Sequence, residues 1–161
     1  MKLRLTISLV FASMLLGIAA LAQEPVKGVA DPDSLFHDKD KKKDAMKQTA
    51  YHIEKDLLQC NHWDEAGKWL TDAYHQHNPN VQSGLAPVVK FFGNNPNRPR
   101  KDVCDKLQAP VVAVVADGDL VTVITAAPRK DAKGQEYTTT WFDTWRIKDG
   151  KADEHWDPAT K

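Results

Sequence analysis

Residues 137–158 read YTTTWFDTWRIKDGKADEHWDP, two runs rich in β-branched and aromatic side chains joined through Lys148-Asp149-Gly150-Lys151. An Asp-Gly pair between such runs predicts a tight hairpin, because the turn needs positive φ and glycine adopts it without a steric penalty. Side chains alternate along a strand, so Trp141, Asp143, Trp145 and Ile147 share one face while Phe142, Thr144 and Arg146 share the other. In the second run His155 and Asp157 point one way, and Glu154 and Trp156 the other. A carboxylate set between tryptophans, and an imidazole two strand steps from a second carboxylate, make this hairpin the candidate acid/base element.

The N-terminus carries a different signal. Lys2 and Arg4 precede an apolar run from Leu5 to Leu21 that ends Ala20-Leu21-Ala22, a small-x-small cleavage site followed by Gln23-Glu24-Pro25. That pattern reads as a signal peptide over residues 1–22, with cleavage leaving no stable membrane span and an exported chain, periplasmic or secreted. Loss of Lys2 and Arg4 leaves 20 basic against 22 acidic residues, a balance that gives no reason to expect nucleic acid as a partner. About 140 remaining residues make one domain with room for a core and a pocket. Two cysteines, Cys60 and Cys104, would meet an oxidising compartment, where they either form a bridge or stay as two buried thiols.

Residues 23–43 are polar, with the charged run Asp38-Lys39-Asp40-Lys41-Lys42-Lys43, and read as a mobile leader before a domain at 44–158. From Asp44, apolar residues at Met46, Ala50, Ile53 and Leu57, with Leu58 beside them, predict an amphipathic helix ending near Cys60. A second helix is expected from Asn61 or His62 to Pro79, leaving His77 and Asn78 at its exit corner. Ser83 is placed to cap a third. Residues 109–116 read as a strand buried on both faces, 120–126 as the next strand and 128–136 as a polar connection to the hairpin. Three helices followed by antiparallel strands predict an α+β domain.

Tyr74-x-x-His77-Asn78-Pro79, Gly84, Asp143-x-x-Arg146 and Asp149-Gly150-Lys151-x-x-Glu154-His155-Trp156-Asp157 together resemble the SnoaL-like proteins of the nuclear transport factor 2-like superfamily, in particular the aldol-condensation-catalysing subgroup. The resemblance spans roughly residues 44–157. It implies a cone of bent antiparallel sheet closed by helices around a mostly apolar pocket, and chemistry of the cyclase, isomerase or lyase kind without a cofactor.

On that footing His155, Asp157 and His77 are the expected proton-transfer groups, with Tyr74, Asn78, Asp143, Trp141 and Trp145 contacting substrate in one shared cavity. Arg146, on the opposite strand face from Asp143, reads as an ion-pair bracket of the hairpin. The expected ligand is a small hydrophobic or carbonyl-containing molecule, and a homodimer is compatible with the reading. The alternative is a binding protein that uses the same pocket without turnover. A metal centre built on His77, His155 and Asp157 lacks the close ligand spacing of zinc motifs, so none is expected.

Overall fold

The computed structural model describes residues 23–161; the expected export segment, 1–22, lies outside the described residues. Asp40 caps helix α1 (Lys41–His52), its carboxylate accepting the N–H groups of Lys42 and Lys43 at 2.9 and 3.0 Å. Those donors have no partner within the helix, so the cap starts α1 three residues ahead of the expected Asp44. The helix continues as a wider π-helical segment (Ile53–Gln59). Asn61, at φ 61°, then turns the chain into a short 3₁₀ helix (Trp63–Lys68).

The expected second helix stops there. Leu70–Gln76 is instead a strand, β1, lying parallel to the final strand β5 (Lys151–Trp156). Ala152 donates its N–H to Trp69 O at 2.8 Å, and Gln76 pairs with His155. Apolar residues at three- and four-residue spacing also fit a strand that buries only Leu70 and Tyr74, and a ladder partner nearly eighty residues away decides between the two. Helix α2 (Leu85–Gly93) follows, capped by Gly84 at φ 102°. Ser83 does not cap it; its hydroxyl accepts the Gln76 N–H at 3.0 Å.

Strands β2 (Val111–Asp117), β3 (Leu120–Lys130), β4 (Glu136–Lys148) and β5 form consecutive antiparallel hairpins, giving the sheet order β1-β5-β4-β3-β2. The ladder between β3 and β4 runs from Leu120↔Arg146 to Lys130↔Glu136, so both ends of the expected polar connection are strand and only residues 131–135 turn. Asp149 and Gly150, at φ 50° and 76°, make the expected hairpin turn. Register breaks in three of the four strand pairs add local bends. The result is an α+β domain with helices packed on a curved five-stranded sheet, though the three helices do not all precede the strands.

The stretch read as a mobile leader is docked onto this domain. Val26 N–H donates to Thr138 Oγ1 at 2.7 Å, Val29 N–H to Val111 O at 2.8 Å, and Phe36 is fully buried against Tyr51. A few apolar side chains in a charged stretch suffice, because each removes its own surface from water. At Gly28 a Cβ would sit 2.4 Å from the Pro110 backbone, so only glycine permits the approach. Among the described residues no helix is long and apolar enough to cross a membrane.

Candidate functional site

The π-helical segment, β1, α2 and the concave face of β4 and β5 enclose a cavity of about 520 Å³, a size suited to one small organic ligand. Strand alternation sets its polar contents. Trp141, Asp143 and Trp145 reach it from β4, His155 and Asp157 from β5 and its exit, and Tyr74, Gln76 and Asn78 from β1 and its exit. Ile53, Leu58, Val88 and Phe92 supply apolar wall from the helices.

His155 is buried at 6% exposure between Tyr74 and Trp145, with ring centroids at 6.5 and 5.2 Å. Its two nitrogens have different partners: Nδ1 lies 2.8 Å from Gln76 Oε1 and Nε2 lies 3.0 Å from Asp143 Oδ1. The Gln76 oxygen also accepts the Asn78 backbone N–H at 3.0 Å, which fixes that amide with its oxygen toward the ring. Nδ1 must therefore carry a proton and donate it to Gln76. A second proton must lie in the contact between Nε2 and Asp143, because an unprotonated nitrogen facing a bare carboxylate would be two acceptors. Asp143 and His155 are thus joined by a hydrogen bond inside the cavity, in an orientation imposed from β1.

Asp157 stands 3.9 Å from His155 Nδ1, but its oxygens are committed. Oδ2 accepts from Asn78 Nδ2 at 2.8 Å and Oδ1 from the Ala159 N–H at 2.9 Å. Asp157 therefore supplies charge beside the imidazole, and Asn78 serves Asp157 rather than a ligand oxygen. The donor atoms of Asp143, His155 and Asp157 all lie within 4.8 Å of one another. A cation gathered there would have to displace the hydrogen bonds just described.

Tyr74 accepts the Trp145 indole N–H at 3.2 Å, which leaves its own O–H to point elsewhere. Burial pushes its ionisation upward; the Trp145 N–H opposes this, and the charges of Asp143 and Asp157 add to it. The phenol is a neutral donor at any ordinary pH.

Seven of the eight expected site residues line this cavity, and His77 does not. A helix corner would have kept His77 beside Asn78, but the chain leaves β1 with Tyr74, Gln76 and Asn78 inward and His77 outward. Its Nε2 contacts Glu154 Oε1 at 2.8 Å, and its ring stacks on Trp156 at 5.2 Å. The same outer face holds Arg146, bracketed by Glu154 at 2.9 Å and Asp119 at 2.7 Å. His77 and then Arg146 hold the Glu154 carboxyl below its usual range. Arg146 is thus the hairpin bracket expected of it.

Among the further lining residues, Gln76 and Glu54 bear on the chemistry and were not expected from the sequence. Gln76 carried no motif. Glu54 could have been noticed, since it lies four residues from both Ala50 and Leu58 on the apolar stripe. It is 6% exposed, its Oε1 has no hydrogen-bond partner, and burial followed by the Asp143 charge raises its carboxyl from 4.5 to about 8. The folded protein therefore retains a proton that the unfolded chain releases near pH 4.5. The resulting stability is fully present below that pH and is lost as pH rises through about 8. Glu54→Gln should remove this slope, so that unfolding free energies of wild type and variant from urea titrations diverge between about pH 5 and 8, by a few kcal/mol in favour of the variant at the upper end. Parallel profiles would show that Glu54 is ionised in the fold.

The mouth of the cavity is crossed by the chain between α2 and β2, with Arg98 at its edge. Cys60 and Cys104 form a disulfide, Cα to Cα 6.1 Å, that ties this crossing to the end of the π-helical segment. Lys101 N–H donates to Cys60 O at 3.0 Å, and Arg100 pairs with Asp64.

Comparison with known proteins agrees with this architecture. The model of the SnoaL-like domain matches residues 55–155. No curated protein matches the chain. Among solved structures, a polyketide cyclase candidate from Bacillus cereus is similar with a TM-score of 0.53 at 18% identity, covering 85% of this chain and 87% of its own. A nuclear transport factor 2-like protein of unknown function from Burkholderia pseudomallei gives 0.51 at 14%, covering 72% and 91%. A polyketide cyclase candidate from Acidithiobacillus ferrooxidans gives 0.50 at 12%, covering 70% and 86%. At such identities the structural likeness speaks for the fold, and the domain match speaks for descent. The chain belongs to the SnoaL-like domain family, and its fold is similar to that of nuclear transport factor 2-like proteins.

Proposed function

We propose that the protein is a cofactor-independent acid/base catalyst, of the isomerase, cyclase or lyase kind, acting on carbon next to the carbonyl of a small, largely apolar molecule. The observation that carries this reading is the contact between Asp143 Oδ1 and His155 Nε2, 3.0 Å apart within the cavity. Asp143 accepts the α-proton on the oxygen not facing His155. The C–H electron pair becomes the C=C bond of an enolate, and the carbonyl π pair moves onto oxygen. Returning the proton to the same carbon gives exchange, and delivery to another carbon gives isomerisation. Attack of the enolate carbon on a second carbonyl closes a ring, as that carbonyl's π pair moves onto its oxygen and the oxygen takes up the proton held by Asp143. His155 holds charge beside Asp143, and the Tyr74 O–H is available to the developing oxygen.

β-Tetralone, a flat neutral ketone with exchangeable α-protons, tests the reading in deuterated buffer by proton NMR. Exchange faster than the buffer rate is expected, unchanged by His77→Ala because His77 lies outside the cavity. β-Tetralone that is taken up but not exchanged would leave a binding protein, the alternative use of the same pocket.

Export is part of the proposal. It is supported by the Ala20-Leu21-Ala22 site and by a disulfide that suits an oxidising compartment. N-terminal sequencing of the exported protein should begin at Gln23; a retained Met1 would sink the idea.

A further inference from the structure

Glu54 has no task in the proton abstraction described above, yet its placement is costly. A buried polar group without a partner forfeits the hydrogen bonds it made to water, and its neighbours Ile53 and Leu57 show that apolar side chains fill the same segment. It sits in a π-helical turn, a feature frequent at functional sites because the extra residue re-aims side chains. The titratable groups that share the cavity with it are Asp143 on β4, His155 and Asp157 on and beyond β5, Tyr74 on β1 and Arg98 at the mouth. None of them hydrogen-bonds Glu54 Oε1.

We infer that Glu54 is the hydrogen-bond donor for the ligand's carbonyl oxygen and makes the cavity select neutral carbonyl compounds over carboxylates. The catalytic role of this contact rests on the acid/base reading, whereas the binding role does not. An un-ionised carboxyl has one O–H to give and lies on the helical wall, facing the base on the sheet wall. A ketone spans the two, with oxygen toward Glu54 and α-carbon toward Asp143. A ligand carboxylate would instead place its charge beside Asp143 and Asp157, a like-charge contact in a poorly solvated space. As negative charge develops on the carbonyl oxygen, the Glu54 O–H stabilises it more than it stabilises the ground state. Because burial holds the proton on Glu54 up to about pH 8, uptake should weaken as pH rises through that value, and Glu54→Gln should not show this loss.

The test measures the infrared carbonyl band of bound β-tetralone together with its exchange rate, in wild type, Glu54→Gln and Glu54→Leu. The band should move to lower frequency on binding to wild type, stay shifted with glutamine, which keeps a donor, and move back toward its unbound position with leucine, which leaves only the Tyr74 O–H. Exchange should fall about 10²-fold in Glu54→Leu, as for other lost oxyanion donors. Benzoate should compete weakly for the same cavity. Wild type that takes up no β-tetralone, or binds it with the band unshifted, overturns the assignment, as does a leucine variant that keeps the full shift. Bound and shifted β-tetralone that never exchanges would leave Glu54 in place and remove only the catalytic reading.

Discussion

Asp143→Asn should slow α-proton exchange of β-tetralone by about 10²–10⁴-fold, the usual contribution of a positioned general base, while uptake of the ketone stays within a few fold. The substitution keeps the shape of the side chain and its contact with His155 Nε2, since an amide can either accept from or donate to that nitrogen. Only the capacity to take a proton from carbon is lost. His155→Gln should lose less, because the imidazole holds charge beside the base without touching the reacting carbon. NMR exchange rates and equilibrium titration on the same samples separate the two effects. Full exchange in Asp143→Asn would move the base elsewhere in the cavity, with Asp157, already engaged by Asn78 and Ala159, the remaining carboxylate on the sheet side.

Loss of the disulfide should be the largest single cost to stability. The Cys60–Cys104 bridge spans 44 positions and encloses the 3₁₀ helix, β1 and α2. Constraint of a loop of that length in the unfolded chain corresponds to about 4 kcal/mol in the chain-entropy description. Cys60→Ser with Cys104→Ser should therefore unfold at a clearly lower urea concentration, and reductant should lower the wild-type midpoint to a similar value. The crossing at the cavity mouth should loosen first, since apart from the bridge it is tied down through single hydrogen bonds and exposed ion pairs, among them Lys101 to Cys60, Arg98 to Asn61, Arg100 to Asp64 and Lys106 to Gln59. A wild-type midpoint insensitive to reductant would show that the bridge adds nothing.

The hairpin was legible because its signals are local: a turn that needs positive φ at Asp149 and Gly150, and an alternation of period two that fixes which side chains share a face. Trp141, Asp143 and Trp145 on one wall, and His155 and Asp157 beside them, follow from that alternation once the strands exist. β1 was not legible in the same way. Its seven residues carry apolar spacing that suits a helix, and its ladder partner is β5 at the far end of the chain. The error reached the site, because a helix keeps His77 with Asn78 whereas a strand sends them to opposite faces.

Gln76 and Glu54 mark the same boundary. An amide becomes part of a hydrogen-bonded unit only when one backbone N–H and one imidazole meet at its oxygen, and nothing in the neighbouring residues announces that meeting. A glutamate on an apolar stripe reads as a helix flank until the sheet closes over it and excludes water. Local periodicity and turn chemistry, which depend on neighbours within a few residues, determined the hairpin, the family motifs and the faces of β4 and β5. The parallel seating of β1, the outward turn of His77 and the retained proton on Glu54 were decided by tertiary structure, because each depends on pairing or desolvation by residues distant in the chain.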